Sequence, residues 1–225
     1  MKILVSIISC TAYRSNRLRA CLDTWGKDID DLIIFSGEFG EENKPDDRGV
    51  WSILKAAGSD DYNSNVDKIA WAIKYLPTHD ETYDWYIFLD DDTYLNYKNL
   101  VLELEKHSLE ERFIMGDEIT GCFGNEPGLK YCSGGGGIVM NRGTLEKMIN
   151  FDSNGLTTGS MFFGDVAVGR IARSNEVSVK NNTLFHGNPP NIYEHDNETI
   201  RKQITYHKLQ DFESMNKLHN IIIQK

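Results

Sequence analysis

Residues 85–92 read Trp85-Tyr86-Ile87-Phe88-Leu89-Asp90-Asp91-Asp92, so that five apolar residues run directly into three carboxylates. An apolar run of this length is the signature of a fully buried strand. Three like charges at its end repel one another and cost stability unless a cation neutralises them. Side chains alternate along a strand, so Asp90 and Asp92 face one site and Asp91 another. Carboxylate oxygens in that arrangement suit Mg²⁺ or Mn²⁺. The plainer alternative is a solvated acidic turn.

Strand-to-helix alternation upstream sets the frame for this segment. Lys2 to Ser9 and Asp31 to Ser36 read as buried strands, and Leu18, Leu22 and Trp25 recur between them at helical spacing, with Ser15 or Asn16 as the N-cap. This β-α-β opening predicts an α/β fold with a parallel sheet. Val66, Ile69, Ala70, Ile73 and Leu76 mark a helix stopped at Pro77, and Leu100, Val101 and Leu104 mark another. From Phe113 to Met140 short apolar pieces broken by glycine predict antiparallel strands and loops. Arg142 to Ile149 and Asp165 to Arg173 read as helices, 176–179, 183–186 and Gln203 to Tyr206 as strands, and Phe212, Met215 and Leu218 as a terminal helix. Loops are expected at 37–49 and 152–160. No linker or repeat is visible, so one domain spans 1–225, with 1–95 as a nucleotide-binding half and 96–225 as the half that binds a second substrate and carries out the chemistry.

Ligands of open α/β sheets sit at the carboxyl ends of the strands. The first strand ends near Thr11, Arg14 and Arg17, which place cationic charge where a diphosphate would lie. The alternative is a basic helix face that offsets an acidic surface. The chain as a whole carries a net charge of −10, which argues against nucleic-acid or anionic-membrane binding. Its first apolar stretch, Ile3 to Ile8, is too short to span a bilayer. The sequence therefore reads as a soluble protein, either complete or the trimmed luminal part of an anchored one. Among the four cysteines no Cys-x-x-Cys pair occurs, which excludes a zinc ribbon or thioredoxin-type motif. Cys122 and Cys132 flank an expected hairpin, and either pair in an oxidising compartment or stand as two thiols.

Three further pieces carry alternatives. Ser133 followed by Gly134 to Gly137 allows either close backbone approach to a ligand or a tight chain crossing. Asp165 begins a helix beside Phe162 and Phe163, as an N-cap or as a general base. His186 and His207 each have the chemistry to complete a metal shell or to sit in a core.

In order, Leu22-Asp23-Thr24-Trp25, Asp90-Asp91-Asp92-Thr93-Tyr94-Leu95, Ser133 to Gly137, Asp165-Val166-Ala167-Val168-Gly169, Phe185-His186 and Thr205-Tyr206-His207 resemble the fringe-like and core-1-galactosyltransferase-like β-1,3-glycosyltransferases. The resemblance runs from about Val5 to Leu218. It implies a GT-A fold, a UDP-sugar donor, Mn²⁺ (or Mg²⁺), inversion at the anomeric carbon and a glycan or glycoconjugate acceptor. It implies Asp90, Asp92 and His207 as metal ligands and Asp165 as the base. Thr11, Arg14, Arg17, Lys68, Asp90, Asp91, Gly135 and Gly136 are then the residues expected around the nucleotide sugar, with Lys68 where that family often has a lysine.

Two departures accompany the resemblance. The family usually has an acidic residue immediately before the base, where this chain has Gly164. Most animal members have a membrane anchor, so the chain is expected to be cytoplasmic if bacterial or viral and luminal otherwise. The competing readings are a metal-dependent phosphotransferase with an Asp nucleophile, whose motif fails at Tyr94, and an inactive glycan- or nucleotide-sugar-binding module of the same fold.

Overall fold

The residues of β1 (Ile3–Ile8) are buried along its whole length, so this strand needs cover on both faces and takes a central place in a sheet. The computed structural model describes residues 1–37, 51–55, 59–78, 82–123, 126–152, 156 and 163–224. The loops expected at 37–49 and 152–160 lie outside these residues apart from Gly37, Asp152 and Leu156. β2 (Leu32–Ser36) and β4 (Trp85–Asp90) flank β1 in parallel, and β3 (Trp51–Lys55) continues from β2. β6 (Phe113–Gly116), β9 (Ile138–Asn141) and β10 (Ser178–Asn181) complete a seven-stranded sheet in the order β10-β6-β9-β4-β1-β2-β3. β9 pairs antiparallel with both β4 and β6, while the other pairings are parallel. The sheet thus draws strands from both halves of the chain.

Period-two alternation divides the core into two layers. Ile3, Val5, Ile7, Ile34, Trp85, Ile87 and Leu89 face one side. There they meet α1 (Arg19–Asp23), α3 (Tyr97–Leu104) and α7 (Phe212–Ile223) through residues such as Cys21, Leu100 and Met215. Leu4, Ile8, Ile33, Phe35, Tyr86 and Phe88 face the other side, against α2 (Asn65–Tyr75), α4 (Arg142–Met148) and α5 (Gly164–Ser174). Burying each such side chain contributes about 1.5–3 kcal/mol. A hairpin of β7 (Glu118–Phe123) and β8 (Glu126–Cys132) packs outside the main sheet. A short ladder joins β5 (Tyr94–Leu95) to β11 (Thr205–Tyr206), after α6 (Asn197–Lys202).

Local details depart from the sequence pattern. Ser15 and Asn16 do not cap the first helix. They lie inside a π-helical turn, Arg14–Leu18, and Asn16 Oδ1 accepts the N–H of Arg17 at 2.7 Å. No strand forms at 183–186, because Asn182 turns the chain: its side-chain oxygen accepts the Leu184 N–H at 3.0 Å and its carbonyl accepts the Phe185 N–H at 3.2 Å. The neighbouring strand starts at Ser178 rather than 176, after Glu176 at a φ of 51°. The last strand shortens to Thr205–Tyr206, since Gln203 spends its side chain on the Thr199 carbonyl and on His186. Cys122 and Cys132 do not pair. They stand opposite Pro127 and Glu118, at different levels of the hairpin, with Cys132 buried and Cys122 exposed. Among the described residues no helix is long and apolar enough to cross a membrane.

Candidate active site

The carboxylate triplet sits in a turn held from several sides. The Thr93 N–H closes it on the Asp90 carbonyl at 3.2 Å. Cys21 Sγ donates to the Asp91 carbonyl at 3.1 Å, and Trp25 Nε1 donates to the Thr93 carbonyl at 3.0 Å. The Thr93 hydroxyl donates to the Gly135 carbonyl at 2.9 Å. The triplet splits as the pleat requires. Asp91 turns toward β1, where the Ser9 hydroxyl donates to it at 2.7 Å. Asp90 and Asp92 turn the other way, toward His207.

His207 reaches them because the β5–β11 ladder pairs Tyr206 with Tyr94, and the Leu209 N–H then bonds the Asp92 carbonyl at 3.0 Å. His207 Nε2 lies 2.8 Å from Asp92 Oδ1 and 3.7 Å from Asp90 Oδ2. Its Nδ1 lies 3.2 Å from the Gly187 carbonyl. A carbonyl only accepts, so Nδ1 carries a proton there and the lone pair of the neutral ring is directed to Nε2, facing the carboxylates. Ligand atoms of Asp90, Asp92 and His207 all lie within 4.8 Å of one another. His186 is not part of this group. It is buried, bonds Gln203 at 2.9 Å and stacks on Tyr206 at 4.8 Å.

Burial and like charge shape the electrostatics of this cluster. Burial, reinforced by Asp92 and Asp165 and opposed by His207, pushes the Asp90 carboxyl up to about 6. Burial pushes Asp91 up to about 7 against the Ser9 hydrogen bond. Burial alone would lower the His207 pKa, but the hydrogen bond and charge of Asp92, with Asp90, raise it. Two carboxylates and an imidazole with a fixed tautomer form a donor set suited to Mn²⁺ or Mg²⁺. Arg17 supplies the nearest guanidinium, with Nη1 3.5 Å from Asp92 and 4.0 Å from Asp91. The π-helical turn presents it, and its guanidinium carbon lies over the Tyr13 ring, 4.1 Å from the ring centroid.

Two cavities meet at this cluster, sharing Ile8, Asn65, Asp90, His207 and Lys208. The smaller, about 290 Å³, is lined by Ser9, Cys10, Tyr13, Arg17, Lys68, Asp91 and Asp92 among others. Lys68 is almost fully buried, donates to the Asp61 carbonyl at 2.8 Å and has its pKa lowered by burial, against Cys10 and nearby carboxylates. The larger, about 410 Å³, is lined by Asp165, Ser133, Gly134, Gly135, Asp117 and Phe163 among others.

Asp165 is not the N-cap of α5. That position is Phe163, and Asp165 lies in the first turn, accepting from the Gly134 N–H at 3.1 Å and the Val166 N–H at 2.8 Å. Burial outweighs these bonds and raises its pKa, which strengthens it as a base. The glycine run is a tight crossing between the two groups: Gly134 touches Asp165, and a Cβ on Gly135 would fall inside the His207 ring. Gly136 lines neither cavity. Its N–H faces Ser133 Oγ and its carbonyl accepts from Thr205. Thr11 and Arg14 also line neither cavity, and the Thr11 N–H donates to Asp60 at 2.9 Å. Gly164 has a packing reason, since a Cβ there would lie 3.3 Å from the Asn65 carbonyl and 3.4 Å from Ile69.

Sequence reasoning missed Ser9, Asp117 and Lys208. Asp117 had the signal used for the triplet, an apolar run (Phe113 to Met115) that ends, after one glycine, in a carboxylate. Lys208 adopts a φ of 64°, which only the structure reveals.

The sequence profile described as Fringe-like matches residues 1–224. Chondroitin sulfate synthase 3 of Homo sapiens is 25% identical over 244 residues, covering 99% of this chain and 27% of that protein. Beta-1,3-N-acetylglucosaminyltransferase lunatic fringe of Danio rerio is 25% identical over 228 residues, covering 90% of this chain and 58% of that protein. Beta-1,3-glucosyltransferase of Homo sapiens is 22% identical and covers 92% of this chain and 39% of that protein. The chain therefore spans between 27% and 58% of the length of these relatives. Among solved structures, the galactosyltransferase LgtC with donor and acceptor sugar analogues superposes with a TM-score of 0.57 at 10% identity, covering 98% of this chain and 96% of that one. A glycosyltransferase involved in glycosylation of the PBCV-1 major capsid gives 0.53 at 11% identity, covering 96% and 99%. The shared fold is the GT-A fold.

Proposed function

The chain belongs to the fringe-like family, and from that membership we propose that it is a metal-dependent, inverting glycosyltransferase. In this reading it moves a hexose or N-acetylhexosamine from a UDP-sugar to a hydroxyl of a glycan or glycoconjugate, forming a β-1,3 linkage. The observation that carries the reading is the Asp90, Asp92 and His207 cluster at the meeting point of two cavities, one of which also holds Asp165. The phosphotransferase alternative is set aside by the family match.

Asp90, Asp92 and His207 would hold Mn²⁺ or Mg²⁺, which when bound supplies Lewis-acid neutralisation of charge on a diphosphate. Arg17 and Lys68 bring cationic charge to the smaller cavity, where the UDP moiety is accommodated. Gly187 fixes the His207 tautomer, and the Ser9 hydroxyl keeps Asp91 turned away from the transfer face. Asp165 accepts the proton of the acceptor hydroxyl as that oxygen attacks the anomeric carbon from the face opposite UDP. The sugar–phosphate C–O bond breaks and its electron pair leaves with UDP. The Gly134 and Val166 amides keep the Asp165 carboxylate oriented, and positioning contributes much of the rate.

A thermal-shift screen of nucleotide sugars with and without Mn²⁺ tests the reading. UDP-sugars should raise the melting temperature only when the metal is present. Equal shifts without metal, or none with any UDP-sugar, would overturn it. Turnover of the stabilising donor separates an enzyme from an inactive binding module.

A further inference from the structure

The larger cavity has a wall that the transfer step does not use, made by Asp117, Ile119 and Phe163. Asp117 follows β6 directly. Its carbonyl accepts the Ser133 N–H at 2.8 Å and its Oδ2 accepts the Gly187 N–H at 3.1 Å, so the side chain is aimed. No described residue bonds its other oxygen, Oδ1, at the cavity. Phe163, two residues before the proposed base, is 47% exposed, and Ile119, two residues after Asp117 in β7, is 36% exposed. A pyranose has a face of C–H groups and a rim of hydroxyls. An exposed ring meets the first, and an anchored carboxylate with a spare oxygen meets the second.

The charge of the cavity selects among pyranoses. Asp90, Asp117 and Asp165 line it against His207 and Lys208. Lys208 Nζ donates to Asn188 Oδ1, another lining residue, at 2.7 Å, so three carboxylates stand against one lysine and one histidine. A sugar bearing its own carboxylate would bring a like charge against Asp117 and Asp165, a repulsive element that discriminates. We propose that Asp117 and Phe163 bind the acceptor and restrict it to a neutral pyranose. This rests on the glycosyltransferase reading above. Asp117 takes a hydroxyl of the acceptor ring, Phe163 takes its C–H face, and the hydroxyl that reacts is left to Asp165.

The test uses the whole chain with Mn²⁺, the UDP-sugar that stabilises it, and paired p-nitrophenyl hexosides and p-nitrophenyl hexuronides, with UDP release as the readout. Hexosides should be used, and the matching hexuronides at least about tenfold less well in kcat/KM. Asp117→Asn should raise the hexoside KM roughly tenfold, the loss of one hydrogen bond to a charged group, and narrow the gap to the hexuronide. Phe163→Ala should raise the hexoside KM while leaving kcat less affected. Both variants should keep the wild-type affinity for UDP with Mn²⁺, which also shows that they fold. Hexuronides used as well as hexosides, or an unchanged acceptor KM in both variants, would overturn the proposal. If the wild type binds UDP with Mn²⁺ but transfers to no hexoside, the acceptor assignment fails alone. If it does not bind UDP with Mn²⁺, the donor reading fails with it.

Discussion

The two ends of the candidate site are built differently. At the end proposed to hold the metal, Asp91 and Asp92 are 5% and 4% exposed, and the turn they occupy is tied down by Ser9, Cys21, Trp25, Thr93 and His207. At the far end of the larger cavity, Asp117 and Asp165 hold their places by bonds from backbone amides, and the flanking apolar groups are open to water. Buried carboxylates must be over-determined, because charge repulsion would otherwise move them. An open wall is under no such demand and is free to vary in what it presents. The fold therefore ties down the carboxylate turn proposed to face the nucleotide and frames more loosely the wall proposed to meet the second substrate.

The largest expected effect separates the two ends at Asp165. Asp165→Asn removes the proton acceptor, so transfer should fall by roughly 10²–10⁴-fold, while Mn²⁺-dependent UDP binding stays at the wild-type level. An acceptor assay beside a nucleotide-binding assay reads both. Full transfer in this variant would erase the division.

At the metal end, His207→Ala should raise the Mn²⁺ concentration for half-maximal activity by at least about 10–100-fold, the range for loss of even an outer partner of a metal ligand. Gly135→Ala should act in the same direction, because the new methyl displaces the His207 ring. His186→Ala should leave the Mn²⁺ curve in place and lower only stability, since it bonds Gln203 and stacks on Tyr206. A reversal between the two histidines would move the ligand.

Smaller effects test how firmly the triplet is held. Ser9→Ala leaves the buried Asp91 carboxylate without its hydroxyl partner, a loss of about 1–3 kcal/mol that urea denaturation should detect. An unchanged midpoint would mean that the turn does not need this tie.

The smallest effect is a pH dependence in the metal-free protein. In the folded protein burial pushes the Asp90 carboxyl up to about 6 and that of Asp91 up to about 7, above the ordinary carboxylate range. The folded protein therefore keeps protons that the unfolded chain has already released. Their stabilisation is complete below the unfolded carboxylate pKa and is lost as pH rises through 6 to 7. The melting temperature should rise as pH falls from about 7.5 to 5.5, by on the order of 2–4 °C per kcal/mol regained. Mn²⁺ at the higher pH should remove the difference. A flat profile would mean that burial and the neighbouring carboxylates do not hold these carboxyls above their ordinary range.

The same contrast explains what the sequence made readable. The metal end is legible because its residues are contiguous: an apolar run, then Asp90-Asp91-Asp92, with the pleat dividing them. The α/β order follows from buried runs alternating with helical spacing, and the two core layers obey that alternation residue by residue. The wall proposed to meet the acceptor comes from separate segments, with Asp117 after β6, Phe163 before α5 and Lys208 after β11, and no local pattern joins them. Where side chains redirect the backbone, periodicity also fails. Asn182 cancels the strand expected at 183–186, and the π-helical turn at Arg14–Leu18 replaces the cap expected at Ser15 or Asn16. The glycine run suits close approach to a ligand or a tight crossing, and the structure has Gly135 against His207 with Gly134 and Gly135 also lining the larger cavity.

The most direct test is calorimetry of UDP titrated into the wild type and Asp92→Ala, each with and without Mn²⁺. Asp92 is shared by His207 at 2.8 Å and Arg17 at 3.5 Å, so it joins the proposed metal cluster to the cation beside it. The expected result is UDP binding by the wild type only with Mn²⁺, and no Mn²⁺-dependent binding by a folded Asp92→Ala. Wild-type UDP affinity with Mn²⁺ in that variant would contradict the assignment of the metal site.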